Sequence, residues 1–175
     1  MRNNSTRTKQ RARVLIADNH PRFAEMCRDI LEGEFEVAGV VLDASKLAKS
    51  VAELQPDIVI IDMVMPPYVG FDVEAQVKAA MPAAKIIYMT VAADFDTAAE
   101  AFRRGAYAYV TKLSFPEDLR IAVRRAIRGE LYLSPSVSRQ DALERDSLLT
   151  DGRWPRGDAK SGIRRARASR RPRTD

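Results

Sequence analysis

The chain has 175 residues, 46% hydrophobic and 30% charged, with a formal net charge of +5. This suffices for one well-cored soluble domain with tails, and no apolar run approaches the roughly 20 residues that span a membrane. The Arg- and Asn-rich start is unlike a secretory leader, and a single cysteine, Cys27, excludes an intrachain disulfide framework and fits a reducing, cytoplasmic compartment.

In chain order, residues 1–11 form a basic arm without core-forming residues; through residue 13 there are five basic and no acidic side chains. Residues 14–17 read as a first strand. Residues 21–31 read as a helix with Phe23, Met26, Cys27, Ile30 and Leu31 on one face, where Cys27 serves as a small buried hydrophobe. A second strand is expected at 35–41 and a second helix at 42–54, stopped by Gln55-Pro56. The third strand, 58–61, is a run of β-branched residues of the kind buried on both faces of a parallel sheet. A Pro-rich loop leads to a third helix at 71–80. The fourth strand is 85–89, and the fourth helix, 95–104, has Gly105 as its C-terminal cap. The fifth strand is 107–110. The fifth helix is 116–128, with Ser114 placed to cap its start and Gly129 its end. Five β/α units in succession predict a flavodoxin-like, doubly wound α/β domain at 12–133: a five-stranded parallel sheet flanked by five helices, with right-handed crossovers. Residues 134–149 read as a linker with a short helix. Residues 150–175, which lack core-forming residues and are rich in Arg, read as a basic disordered tail.

Asp62 ends the apolar run of the third strand, and the carboxyl ends of strands in open α/β sheets are where ligands gather. Alone it would serve as a turn-former or helix cap. Its partners change that reading: Asp18 and Asn19 follow the first strand, Thr90 the fourth, and Lys112 the fifth. This fold brings those ends to one rim. Asp18, Asp62, Asn19 and a backbone carbonyl can offer oxygen ligands to Mg²⁺, Lys112 can neutralise a phosphoryl group, Thr90 can donate to it, and Asp62 can act as the nucleophile. Taken singly, Thr90 is a β-former, Tyr109 a packed aromatic and Lys112 a surface charge; it is their joint spacing that points to phosphoryl chemistry. His20, the only histidine, reads as packing or capping.

Four motifs carry a resemblance: Ala17-Asp18-Asn19-His20-Pro21; Asp62-Met63-Val64-Met65-Pro66 with Gly70 beyond; Met89-Thr90; and Tyr109-Val110-Thr111-Lys112. In this order the chain resembles a response-regulator receiver domain of two-component signalling, of the LuxR/NarL-type subgroup, over roughly residues 12–133. The resemblance implies that Asp62 is the phosphoacceptor for a histidine kinase or phosphotransfer protein. It implies that Asp18, Asn19, Asp62 and the Val64 carbonyl hold Mg²⁺, and that Thr90 and Lys112 contact the phosphoryl group. It also implies that Thr90 and Tyr109 form the switch that remodels the face of the fourth helix, fifth strand and fifth helix. With no effector domain legible in the sequence, the expected output is protein–protein contact, with a homodimer left open, and not an enzymatic activity.

The pattern departs from the family in three places. Asn19 stands where a second acid is usual, which predicts weaker metal binding. Val91 stands where a small residue is usual, which predicts narrowed access to Asp62. Val69 replaces a common polar residue, and Pro66-Pro67 stiffens the loop. Relatives in the subgroup continue into a helix-turn-helix module; here Ser147-Leu148-Leu149-Thr150 resembles its start, and the pattern then collapses into Arg, Gly, Ala and Pro, as a disrupted reading frame would produce. An alternative reading is a degenerate regulator that dimerises without phosphorylation and binds nucleic acid non-specifically through the Arg-rich tail, with steep salt dependence. An Asp-nucleophile phosphatase is disfavoured because Val64 stands where its acid would be. Flavin binding is disfavoured because 18–21 is no phosphate cradle.

Overall fold

The computed structural model describes residues 11–69 and 71–137. The basic arm up to residue 10, Gly70, the expected helix after 140 and the tail lie outside the described residues. The elements are β1 (Arg13–Ala17), α1 (Pro21–Leu31), β2 (Glu36–Val41), a 3-10 turn (Ala44–Lys46), α2 (Leu47–Leu54), β3 (Ile58–Asp62), β4 (Val64–Met65), β5 (Tyr68–Val69), α3 (Asp72–Ala80), β6 (Lys85–Thr90), α4 (Phe95–Arg103), β7 (Ala108–Thr111), α5 (Phe115–Arg128) and β8 (Tyr132–Leu133). The main sheet runs β2-β1-β3-β6-β7-β8, and every pairing in it is parallel. The strand order reverses between β1 and β3, and this is the switch point where ligands bind in such sheets.

Strand periodicity of two explains the two cores. Leu15, Ala17, Val59, Ile61, Ile86, Tyr88 and Tyr109 face α2, α3 and α4. The alternate residues Val14, Ile16, Ile58, Ile60, Ile87, Met89, Ala108 and Val110 face α1 and α5. All five residues of β3 are buried, so its apolar run holds Asp62 rigidly at the rim. Among the described residues, no helix is long and apolar enough to cross a membrane.

Four local expectations are corrected. The sheet has six strands, not five: Gly129 ends α5 at φ +79°, and the chain returns so that Tyr132 and Leu133 pair with β7. The second helix starts at Leu47, because the Asp43 carboxylate accepts the Ser45 N–H and hydroxyl and bends residues 43–46 into a turn. Ser114 occupies the N-cap position of α5 but makes no side-chain cap bond; its hydroxyl donates to Asp118 instead. The stretch read as the start of a linker is packed: Ser134 is fully buried, its N–H donates to the Tyr109 carbonyl, and Val137 is buried.

Candidate functional site

The pocket lies where β1, β3, β6 and β7 end. Asp18 follows β1, its N–H anchored on the Val41 carbonyl at 3.1 Å. Asp62 is the last residue of β3, opposite Met89 of β6. Both carboxylates are buried, Asp18 at 0% and Asp62 at 3% exposure. Burial of two like charges is tolerated only with compensation. Lys112 supplies it: Nζ donates to Asp18 Oδ2 at 2.6 Å and to Asp62 Oδ2 at 2.8 Å. Its backbone N–H donates to the Thr90 carbonyl at 2.6 Å, and its ammonium lies 4.5 Å from the centre of the Phe23 ring. Burial alone would lower the Lys112 pKa; hydrogen bonds and charge from Asp18 and Asp62 outweigh it and raise the value. Phe23 went unread as a pocket residue, since its place on the apolar face of α1 was explained by packing.

The other expected residues sit around this trio. Asn19 Oδ1 is buried and has no hydrogen-bond partner among the described residues. The Val64 N–H donates to Asp62 Oδ1 at 3.2 Å, and Val64 begins the two-stranded hairpin of β4 and β5. Buried Thr90 accepts the Ala92 N–H at 3.1 Å, and buried Tyr109 donates its hydroxyl to the Ala92 carbonyl at 3.2 Å. Thr90 and Tyr109 thus meet at one residue, Ala92, through its N–H and its carbonyl. Burial pushes the Tyr109 phenol up to about 12. Val91 is 68% exposed and stands on the rim instead of filling the pocket.

His20 neither packs nor caps with its side chain. The side chain is 65% exposed, α1 has no side-chain cap there, and Nδ1 lies 3.0 Å from Asp18 Oδ1 and 3.8 Å from Asp62 Oδ2. Ligand atoms of Asp18, His20 and Asp62 all lie within 4.8 Å of one another. The donor set suits a hard divalent cation: two carboxylates and a buried amide oxygen with no donor among the described residues. Cys27 lies close enough for its thiol to feel the pocket; burial first, then the charge of Asp18, pushes it up to about 12, which keeps it an inert thiol.

The family described as "Response regulator receiver domain" matches residues 14–124. Among curated proteins, the chain is 30% identical over 129 residues to oxygen regulatory protein NreC of Staphylococcus carnosus, covering 72% of this chain and 59% of that one. It is 30% identical over 128 residues to transcriptional regulatory protein LiaR of Bacillus subtilis, covering 72% and 61%. The chain therefore spans about three fifths of the length of these relatives. Among solved structures, a LuxR-family two-component response regulator from Aurantimonas sp. SI85-9A1 matches with TM-score 0.70 and 30% identity, covering 78% of this chain and 99% of that one. The isolated receiver domain of RcsB from Salmonella enterica serovar Typhimurium, solved with the phosphomimetic BeF₃⁻, matches with TM-score 0.68 and 26% identity, covering 74% and 98%. The chain belongs to the response regulator receiver domain family, of the LuxR/NarL type.

Proposed function

We propose that this receiver is a phosphorylation switch, taking a phosphoryl group from a phosphohistidine of a kinase or phosphotransfer protein onto Asp62. The observation that carries the reading is Lys112 Nζ bridging the buried carboxylates of Asp18 and Asp62. An Asp62 carboxylate oxygen attacks phosphorus, the phosphorus–nitrogen bond breaks, and an acyl phosphate forms while the histidine leaves with the bond's electron pair. Lys112 is placed to follow the charge from the free carboxylate to the phosphoryl oxygens. The Thr90 hydroxyl is the further contact for the phosphoryl group, and its link to Tyr109 through Ala92 makes these two residues the switch. Mg²⁺ held by Asp18, Asn19, Asp62 and the Val64 carbonyl would supply neutralisation of phosphoryl charge. The output is a population shift between two conformations, read by protein–protein contact.

The direct binding test uses beryllofluoride, a phosphoryl mimic, with Mg²⁺, followed by backbone amide NMR of the full chain. The expected result is Mg²⁺-dependent shifts at Asp62, Thr90 and Lys112 in the parent and none in Asp62→Ala. Shifts that persist in Asp62→Ala, or a silent parent, would contradict the reading.

A further inference from the structure

At the far side of β7 lies another buried carboxylate, Asp118 in the first turn of α5, 5% exposed and held by hydroxyls instead of a cation. Tyr132 donates to Oδ1 at 2.6 Å, Ser114 donates to Oδ2 at 2.7 Å, and Ser134 also donates to Oδ2. A hydroxyl has one proton, and this fixes the direction of the remaining bonds. Ser114 has committed its proton to Asp118, so Thr111 donates in the 2.9 Å contact between Thr111 Oγ1 and Ser114 Oγ. Ser136 must then donate in its 2.6 Å contact with Thr111 Oγ1. Ser134 Oγ, its own proton on Asp118, accepts the Thr111 backbone N–H at 3.2 Å. Both polar groups of Thr111 that make these contacts therefore end on one carboxylate, by two separate hydroxyl paths. Such chains polarise and strengthen one another in a buried setting. Thr111 is fully buried and adjoins Lys112, whose own N–H is fixed to β6.

We propose that Asp118 is a positioning residue for the phosphoryl pocket. Through Ser114, Ser134 and Ser136 it fastens the segment Ser134–Val137 to Thr111, one residue from Lys112. Pocket occupancy and attachment of this segment, through which the chain continues beyond the domain, are thereby coupled. The functional half of this inference rests on the phosphoryl reading of the pocket. Coupling is reciprocal: a ligand that moves Lys112 changes the hold on Ser134, and release of Ser134 changes the affinity of the pocket.

The test is native-state amide hydrogen exchange of the full chain at Lys112, Ser134 and Val137, with Ile60 of β3 reporting global opening. It compares the parent, Asp118→Ala, Asp118→Asn and Ser134→Ala, each also titrated with beryllofluoride and Mg²⁺. In Asp118→Ala, exchange at Lys112 and Ser134 rises together, by about tenfold, with Ile60 unchanged. Ser134→Ala shows the same pair with smaller amplitude, Asp118→Asn restores part of the protection, and beryllofluoride affinity falls several-fold in Asp118→Ala. Loosening at Ser134 and Val137 with Lys112 exchange within roughly twofold of the parent would overturn the proposal. Should Ile60 also open in Asp118→Ala, Ser134→Ala decides by the same comparison. A parent that binds no beryllofluoride overturns the phosphoryl reading, and the exchange comparison still decides the mechanical link.

Discussion

Lys112 is one cation serving two buried carboxylates, and this imbalance governs the residue scale. Replacing it with methionine leaves Asp18 and Asp62 facing each other without the ammonium that bridges them. We expect Lys112→Met to lose about 3 kcal/mol of stability in chelator. Added Mg²⁺ should recover more stability in the variant than it gives the parent; chemical denaturation with and without the metal checks this, and equal Mg²⁺ effects would contradict it. Asn19 is the second lever, because its buried amide oxygen has no donor among the described residues. Asn19→Asp adds a full charge at that place and should tighten Mg²⁺ by roughly tenfold in calorimetric titration; unchanged affinity would place Asn19 outside the metal shell. The identities of these residues were readable because strand ends and spacing placed them. Two contacts were not: the Phe23 ring beneath Lys112 and the Nδ1 of His20 toward Asp18. No spacing rule reports which way a ring on the first turn of a helix turns.

At the scale of elements, helix ends and one buried acid on α3 decide the local energetics. Gly129 closes α5 in the left-handed region with open space around its missing Cβ. Gly129→Ala therefore strains only backbone and should cost about 1 kcal/mol in equilibrium denaturation. Glu74 of α3 is buried and accepts the Tyr88 hydroxyl at 3.1 Å. Burial raises its carboxyl above the ordinary 4.5, and the Tyr88 bond and the charges of Arg104 and Lys78 lower it only in part. The folded state thus holds this proton more tightly than the unfolded chain. The resulting stability is fully present below pH 4.5 and is lost as pH rises through the raised value. Glu74→Gln removes that loss, so its advantage over the parent should grow from pH 4.5 to about pH 7 in a denaturation series; parallel profiles would contradict the assignment. At this scale the helices were legible from the 3.6 period and the five main strands from short apolar runs, whereas the β4–β5 hairpin read as a Pro-rich loop. The sixth strand was not, because two residues after a helix cap carry no period, and only tertiary pairing with β7 makes them a strand.

For the whole molecule, the βα alternation fixes a parallel sheet, the sheet fixes a switch point between β1 and β3, and the switch point gathers Asp18, Asp62 and Lys112 from sequence positions far apart. That chain of consequence is why these three residues could be grouped from the sequence. The hydroxyl network around Asp118 could not, since serine and threonine near a helix start read as caps or linker. The central claim, that this arrangement makes Asp62 a phosphoacceptor, is tested most directly by intact-mass spectrometry after incubation with acetyl phosphate and Mg²⁺, beside Asp62→Ala. The account predicts the gain of one phosphoryl group in the parent, dependent on Mg²⁺ and absent from the variant. No gain in the parent, under conditions that label an Asn19→Asp, Val91→Ala variant, would contradict it and leave a receiver that acts without phosphorylation.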